Sequence, residues 1–469
     1  MSSPQPTLNT LPEELLLAIL SHITTLPTLL ALSKTTHRLH RLTLPRLYHT
    51  FPGRNSELFL RTISHCPDLA AYTRAAVWQK ERKAVSRFDM LEKQHIVTRL
   101  NQLAVPHGTD LADRFAQFGR SDEYWYFEVL VLFMRGLEEV EVRESWLWDD
   151  HHYWFKSLSR FFNPLCESQL KRAKLDGPMR IENIVPLLTI PSLTSLELTQ
   201  VTVMRREGYR IFQWSMWPVH RVLPERCSNL ETLSLKESCM DLELLFPVLC
   251  GIKALQSFTY EHVPNDLADE SAWNPHITDD ALSACLALHA PSLAHVRIRD
   301  AHAREWSTVT DVLHGPSSHE LGKHDPKIEF PHLRVLDVGP LCADWSRLKL
   351  SIWGTIALVA NDLPAALRTL RLQVEPDHFL GLDEFLAHFR STLVSLRLGW
   401  EVIELVDWDP TLGWFPENLP LLQKIYSDVG LRFTSVAGDA VDMYGAEPLL
   451  IDEETEEDWV LVTDLRLSS

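Results

Sequence analysis

The sequence predicts an α/β chain: a three-helix N-terminal unit, then an irregular repeat solenoid with a curved parallel sheet. Three observations carry this. Residues 8–52 show helical apolar spacing punctuated by proline. The spacing L-x-x-L-x-L then recurs along most of the remainder. Helical stretches alternate with those short apolar segments, an order that produces parallel strands. The chain has 469 residues, 45% hydrophobic and 23% charged. That is globular composition, with ample length for a large core.

Residues 1–7 are expected to be disordered. The first ordered element begins where Thr10 and Glu13 stand at capping-box spacing and Pro12 falls in the first turn. Leu16, Ile19, Leu20 and Ile23 follow at helical spacing and predict one apolar face. Leu26-Pro27 is expected to break that helix, and Thr28 to cap the next. Leu29, Leu32, Thr36, Leu39 and Leu42 lie near one face of the helices that follow. Pro45 closes the run, with Leu47 and Tyr48 after it. A unit this small rarely holds a sufficient core alone. Its excess apolar surface, at Leu11, Pro12, Ile19 and Leu20, needs a partner, which is either the next domain or another protein.

Residues 8–52 resemble an F-box. The residues that carry the resemblance are Leu11-Pro12-Glu13-Glu14, Ile19-Leu20, Leu26-Pro27, the leucines Leu29 to Leu32, the basic stretch Arg38 to Arg41, and Pro45-Arg46-Leu47-Tyr48. Thr35 and Leu39 depart from the family, which usually has valine and often tryptophan there. The resemblance implies docking on the Skp-type adaptor of a cullin ubiquitin ligase of the SCF type. By motif position it assigns Leu11, Pro12, Ile19, Leu20, Leu32, Leu47 and Tyr48 as adaptor-facing or supporting residues.

Residues 53–440 carry the repeat. Clear copies of the spacing are Leu193/Leu196/Leu198, Leu230/Leu233/Leu235, Leu255/Phe258/Tyr260, Leu293/Val296/Ile298, Leu333/Leu336/Val338, Leu367/Leu370/Leu372 and Leu393/Leu396/Leu398. Weaker copies start at Leu137, Leu170 and Leu422, and residues 57–78 read as a first helix-then-strand unit. Helices are expected at Tyr124–Phe133, Asp241–Cys250, Asp279–His289 and Leu382–Phe389, each before a strand. A motif this short buries its leucines only against its neighbours, so it must recur. This part resembles the leucine-rich repeats, and the combination is similar to fungal F-box proteins with divergent repeats. The Asn or Cys usual after the third leucine is replaced by Val201, Ser238 and Val263, which implies an irregular, variably curved array. The resemblance implies a non-enzymatic receptor whose repeats bind a protein substrate. The other reading from the residues is a repeat scaffold outside ubiquitin transfer, with the F-box-like segment as a cap.

Insertions interrupt the repeats. Trp146–Phe155 contains Trp146 and Trp148, and Met204–Val222 contains Trp214 and Trp217 among several arginines. Insertions of repeat proteins map to loops on one face, often the binding face. These tryptophans are either partner anchors or local packing. Gly315–Lys327 reads as a polar loop.

The net charge is −18, which opposes general nucleic-acid or anionic-membrane binding because both partners are negative. The first hundred residues carry thirteen basic and seven acidic side chains. Lys80, Arg82, Lys83 and Arg87 read as a solvated basic face. Residues 441–469 form an acidic tail with the run Asp452–Asp458, either solvated or complementary to a basic partner. Seven cysteines with no C-x-x-C spacing argue against a disulfide framework or zinc ribbon and for a cytoplasmic or nuclear protein. No apolar run reaches the length of a bilayer span, and no secretory signal is read at the N-terminus.

No catalytic residue, metal site or cofactor is expected. His319 and His324 flank Glu320 but are five residues apart, about 140° around a helix rather than on one face. His151-His152 beside Asp149-Asp150 lacks ligand periodicity. No phosphate-binding glycine motif or nucleophile elbow occurs, and His65-Cys66 is adjacency rather than catalytic geometry.

Overall fold

The computed structural model describes residues 8–53, 56–79, 88–103, 112–113, 115, 123–143, 169–177, 179–202, 223–240, 242–262, 279–300, 329–339, 364, 366–374, 402–407 and 432–437. They divide into two compact units. One takes its residues from Met1–Asp176 and Ile190–Leu193, the other from Gly177–Thr189 and Thr194–Leu449. The chain is α/β, with parallel strands and N-terminal helices.

In the first unit a 3-10 turn at Leu8–Thr10 leads into α1 (Glu13–Ser21), α2 (Leu26–Ser33) and α3 (His37–Leu47). The punctuation differs from the sequence expectation. α1 ends before the Leu-Pro pair, and Pro27 instead lies in the first turn of α2, where its missing N–H needs no partner. Pro45 lies inside α3, which runs on to Leu47. The N-cap positions of α1 and α2 are Pro12 and Thr25, neither making a side-chain cap bond. The working cap is Thr36, whose hydroxyl accepts the Leu39 N–H of α3 at 3.2 Å.

The same unit continues through β1 (Thr50–Phe51), α4 (Ser56–His65), α5 (Pro67–Ala70), β2 (Ala75–Gln79), α6 (Met90–Gln102), α7 (Glu123–Phe133), β3 (Glu139–Arg143) and β4 (Arg172–Leu175). The strands pair in parallel in chain order. Register aligns Phe51, Ala76, Val140 and Ala173 in one column and Trp78, Val142 and Leu175 in the next. All seven side chains are buried. α7 is buried at Phe127 and from Val129 to Phe133, and Phe127 packs on Trp78 with ring centroids 5.0 Å apart.

The second unit contains β5 (Met179–Arg180), α8 (Ile181–Leu188), β6 (Ser195–Thr199), β7 (Val201–Thr202), β8 (Thr232–Ser238), α9 (Leu242–Cys250), β9 (Ser257–His262), α10 (Asp279–Ala287), β10 (His295–Asp300), β11 (Val335–Gly339), β12 (Thr369–Val374), β13 (Val402–Asp407) and β14 (Arg432–Ala437). β6 and β8 to β14 pair in parallel, each with the next, while β5 pairs with β7. Leu196, Leu233, Phe258, Val296, Leu336 and Leu370 are register partners in one column. Six of the seven clear copies of the motif thus become strands, and the weak copies at Leu137 and Leu170 do too. The copies at Leu393 and Leu422, and the helix expected at Leu382–Phe389, lie outside the described residues.

Two backbone features repeat. In eight of the stacked pairs one carbonyl accepts two successive N–H groups of the next rung. His49 O takes Arg74 and Ala75 at 2.8 and 3.1 Å. Arg74, Glu138, Glu231, Gln256, Ala294 and Arg334 repeat the pattern, as does Thr194. The second feature is a left-handed residue two places after the third core position. Gly177, Gln200 and Glu237 have φ of 117°, 63° and 47°. The strand therefore turns off its rung at a fixed point, at a cost of about 1–2 kcal/mol where the residue is not glycine.

Leu233→Ala is expected to lower the unfolding free energy by about 2–5 kcal/mol in chemical denaturation, and a loss below about 1 kcal/mol would mean that the column is not the core. Glu237→Val should cost about 1–2 kcal/mol while Glu237→Gly stays near zero; equal effects would remove the conformational explanation.

Candidate functional site

The helical unit is assembled by one apolar face and a few polar ties. Leu16 and Leu20 of α1, Leu29 and Leu30 of α2, and Leu39, Leu42, Leu44 and Leu47 of α3 are buried. Glu13 pairs with Arg41 and lies 4.0 Å from Arg38, linking α1 to α3. Arg46 donates to the Ile23 carbonyl at 3.1 Å and so holds the turn after α1 against α3. Tyr48 and Phe51 pack on Phe59 of α4, with centroids 6.2 and 4.7 Å away.

This inner face is narrower than the sequence spacing indicated. Leu16 and Leu20 point inward, but Ile19 is 43% exposed. It belongs to a second row, Leu8, Pro12, Leu15 and Ile19, at helical spacing along the outside of the turn and α1. Leu8 and Leu15 are 48% and 52% exposed, Leu17 beside them is 48% exposed, and Pro12 is exposed. Leaving several large apolar side chains in water is unfavourable by roughly 25 cal/mol per Å².

The residues assigned by motif position therefore separate. Pro12 and Ile19 lie on the outer row, and Leu11 and Leu32 are half-buried. Leu20, Leu47 and Tyr48 are buried: they shape the unit and present no contact surface. The departures from the family pattern fit their places. Leu39 is a core residue of α3, and Thr35 is exposed with its hydroxyl on the Leu32 carbonyl at 2.8 Å. Leu8, Leu15 and Leu17 were absent from the motif-based assignment. The i, i+4, i+7, i+11 spacing of Leu8, Pro12, Leu15 and Ile19 is the signal for Leu8 and Leu15.

The sheet face opposite the apolar columns is polar, and its charges pair across rungs. In the first unit Lys171 bonds Glu138 at 2.7 Å and lowers that carboxyl below its ordinary value. Arg172 pairs with Glu139 and Lys174 with Glu141 across rungs, while Arg143 pairs with Glu141 along β3. In the second unit Lys236 reaches Glu197 at 2.9 Å. Arg297 lies 3.3 Å from Glu261 and 3.4 Å from Asp337, and Arg299 lies 3.6 Å from Asp337. Asp337 is only 1% exposed. These opposite charges lie within 4 Å of one another.

The tryptophan candidates Trp146, Trp148, Trp214 and Trp217 lie outside the described residues, as do His151-His152, the His319–His324 segment and the acidic run. Among the described residues no group of three or more His, Cys, Asp or Glu is placed to hold a metal ion, and no described helix is long and apolar enough to cross a membrane. His65 stacks on His95 of α6 with ring centroids 4.2 Å apart, and Cys66 precedes α5. The five described cysteines are free thiols. Burial pushes Cys285 up to about 12, with Cys250 nearby adding to it. Burial raises Cys227 and Cys250 as well. Thiols held protonated this way are poor nucleophiles. No family model matches this chain, and no curated protein matches it.

Cys285 should resist maleimide labelling at pH 7–8 in the native chain and label fully in denaturant. Rapid native labelling, located by peptide mass spectrometry, would contradict its burial.

Proposed function

We propose that this chain is the substrate-recognition subunit of an SCF-type cullin ubiquitin ligase, with residues 8–52 as an F-box and the parallel ladder as a divergent leucine-rich-repeat solenoid. The F-box docks on the Skp-type adaptor, and the repeats bind a protein target. The observation that carries this reading is the outer apolar row of α1, which the unit's own packing leaves in water. It coincides with the family's Leu-Pro-x-Glu entry and the helix behind it. On this reading the chain supplies no catalytic residue: the ligase core transfers ubiquitin, and the receptor contributes proximity. The target is held by the repeats or their insertions, and the chain works in the cytoplasm, the nucleus or both.

A second reading has its own support. The helical unit runs directly into the ladder: Tyr48 and Phe51 are buried and β1 is its first rung. A unit that covers an open strand edge acts as a cap, and the protein would then be a repeat scaffold outside ubiquitin transfer. Capping explains the buried residues Leu47, Tyr48 and Phe51. It does not explain the outer row.

The full chain co-expressed with a Skp-type adaptor should co-purify with it. Leu15→Asp/Ile19→Asp, which alters only exposed positions, should abolish co-purification with an unchanged circular dichroism spectrum and melting temperature. Folded wild type that does not bind, or a double variant that binds equally, overturns the adaptor reading and leaves the cap.

A further inference from the structure

His289 follows α10 in the second unit and joins three segments. Its side chain is 3% exposed. Nε2 lies 3.0 Å from the Leu249 carbonyl at the end of α9. Nδ1 accepts the Leu255 N–H at 3.4 Å, immediately before β9. The backbone of His289 continues the tie: its carbonyl accepts the N–H groups of Ser292 and Leu293 at 2.8 and 2.9 Å. Ser292 then returns its hydroxyl to the Leu255 carbonyl at 2.7 Å. Only one form of the ring fits these partners. A carbonyl needs a donor at Nε2, and an N–H needs an acceptor at Nδ1. The neutral Nε2–H tautomer supplies both, whereas the imidazolium has a proton on each nitrogen and turns Nδ1 against the Leu255 N–H.

We propose that His289 is an acid-sensitive latch that locks the α9–β9 repeat to the α10–β10 repeat when neutral and releases it on protonation. The Leu249 carbonyl at Nε2 favours the cation, but burial and a like charge outweigh it. Arg226, on the segment before β8, faces the ring with like charge. Cys250, at the end of α9, and Cys285, one turn earlier on α10, are held protonated by burial and bring no anion. Glu225 acts on Cys250 and Lys253 on Cys227, neither on the ring. Burial, ahead of the Arg226 charge, lowers the imidazole below its ordinary value near 6.5. The sign follows. The unfolded or opened segment takes up a proton first, so the latch is fully closed above pH 6.5 and weakens as pH falls below it. It loses up to about tenfold in the closed-to-open ratio per pH unit until the lowered value is reached.

The test is hydrogen exchange of the full chain at pH 7.5 and 5.5, corrected for intrinsic rates. Peptides spanning 249–256 and 285–293 should lose more protection, by up to about tenfold, than peptides spanning 193–199, where no such histidine sits. In His289→Gln, whose amide can donate and accept without titrating, that excess should vanish. Equal losses in all peptides of the wild type overturn the latch. So does an excess that persists in the variant. If the variant does not fold, the wild-type comparison alone decides.

Discussion

The structure depends on in-register stacking of short parallel strands. Each strand offers two or three apolar side chains and cannot enclose them. Leu233 is buried because Leu196 and Phe258 flank it in register. A typical fully buried side chain contributes about 1.5–3 kcal/mol, and ordering each residue costs about as much. A lone repeat therefore breaks even at best, and each added neighbour tips the balance. The shared carbonyls enforce the stacking from the backbone side, since one acceptor serving two successive N–H groups fixes where the next strand starts. The left-handed residues at Gly177, Gln200 and Glu237 fix where it leaves.

The same requirement organises the N-terminal helices. A ladder needs its first rung covered, and β1 is a two-residue strand whose Phe51 is buried against α4. The chain arrives there from α3 through Tyr48, so core residues of the helical unit are also the start of the ladder. This accounts for the buried members of the closing Pro-x-Leu-aromatic stretch. It also isolates the outer row of α1 as surface that stacking does not use. Covering the edge engages a different face of these helices from the outer row.

Much of this was legible in the sequence because the motif is set by burial alone. L-x-x-L-x-L located β3, β4, β6 and β8 to β12, and the helical stretches before β3, β9 and β10 fell within a few residues of their observed bounds. β13 and β14 escaped because the first position was sought as leucine: Trp400-x-x-Ile403-x-Leu405 keeps the spacing with tryptophan there, and in β14 serine stands in register with Leu405. Ser238 shows the same economy of chemistry. It stands three places after Leu235, and its hydroxyl accepts the Val201 N–H at 3.2 Å and donates to the Lys236 carbonyl at 2.7 Å. Ile19 and Leu20 were both placed on one apolar face with surface to spare, because four apolar residues at helical spacing look like one face; only Ile19 is exposed. Only the packing partner decides which edge of that face is wet. Asp337 was invisible for the opposite reason: strand alternation places it on the polar face, and only Arg297 and Arg299 on the neighbouring strand explain how a carboxylate can be buried there.

The charges divide into two populations with different reach. On the polar face, acid and base alternate between neighbouring strands and pair within 4 Å. The exposed pairs among them contribute little each, whereas Asp337 is buried. Their order nonetheless penalises any slip in register, because a shifted strand would set like charges against each other. Having neutralised one another, they project little field. The net charge of −18 therefore resides off the paired ladder, and it acts over a Debye length of about 8 Å in physiological salt. Short-range pairing holds the rungs in register, while the unpaired excess biases which molecules approach the chain at all. A target with a basic surface gains encounter rate from that field, and its grip would still have to come from groups that the ladder does not already occupy.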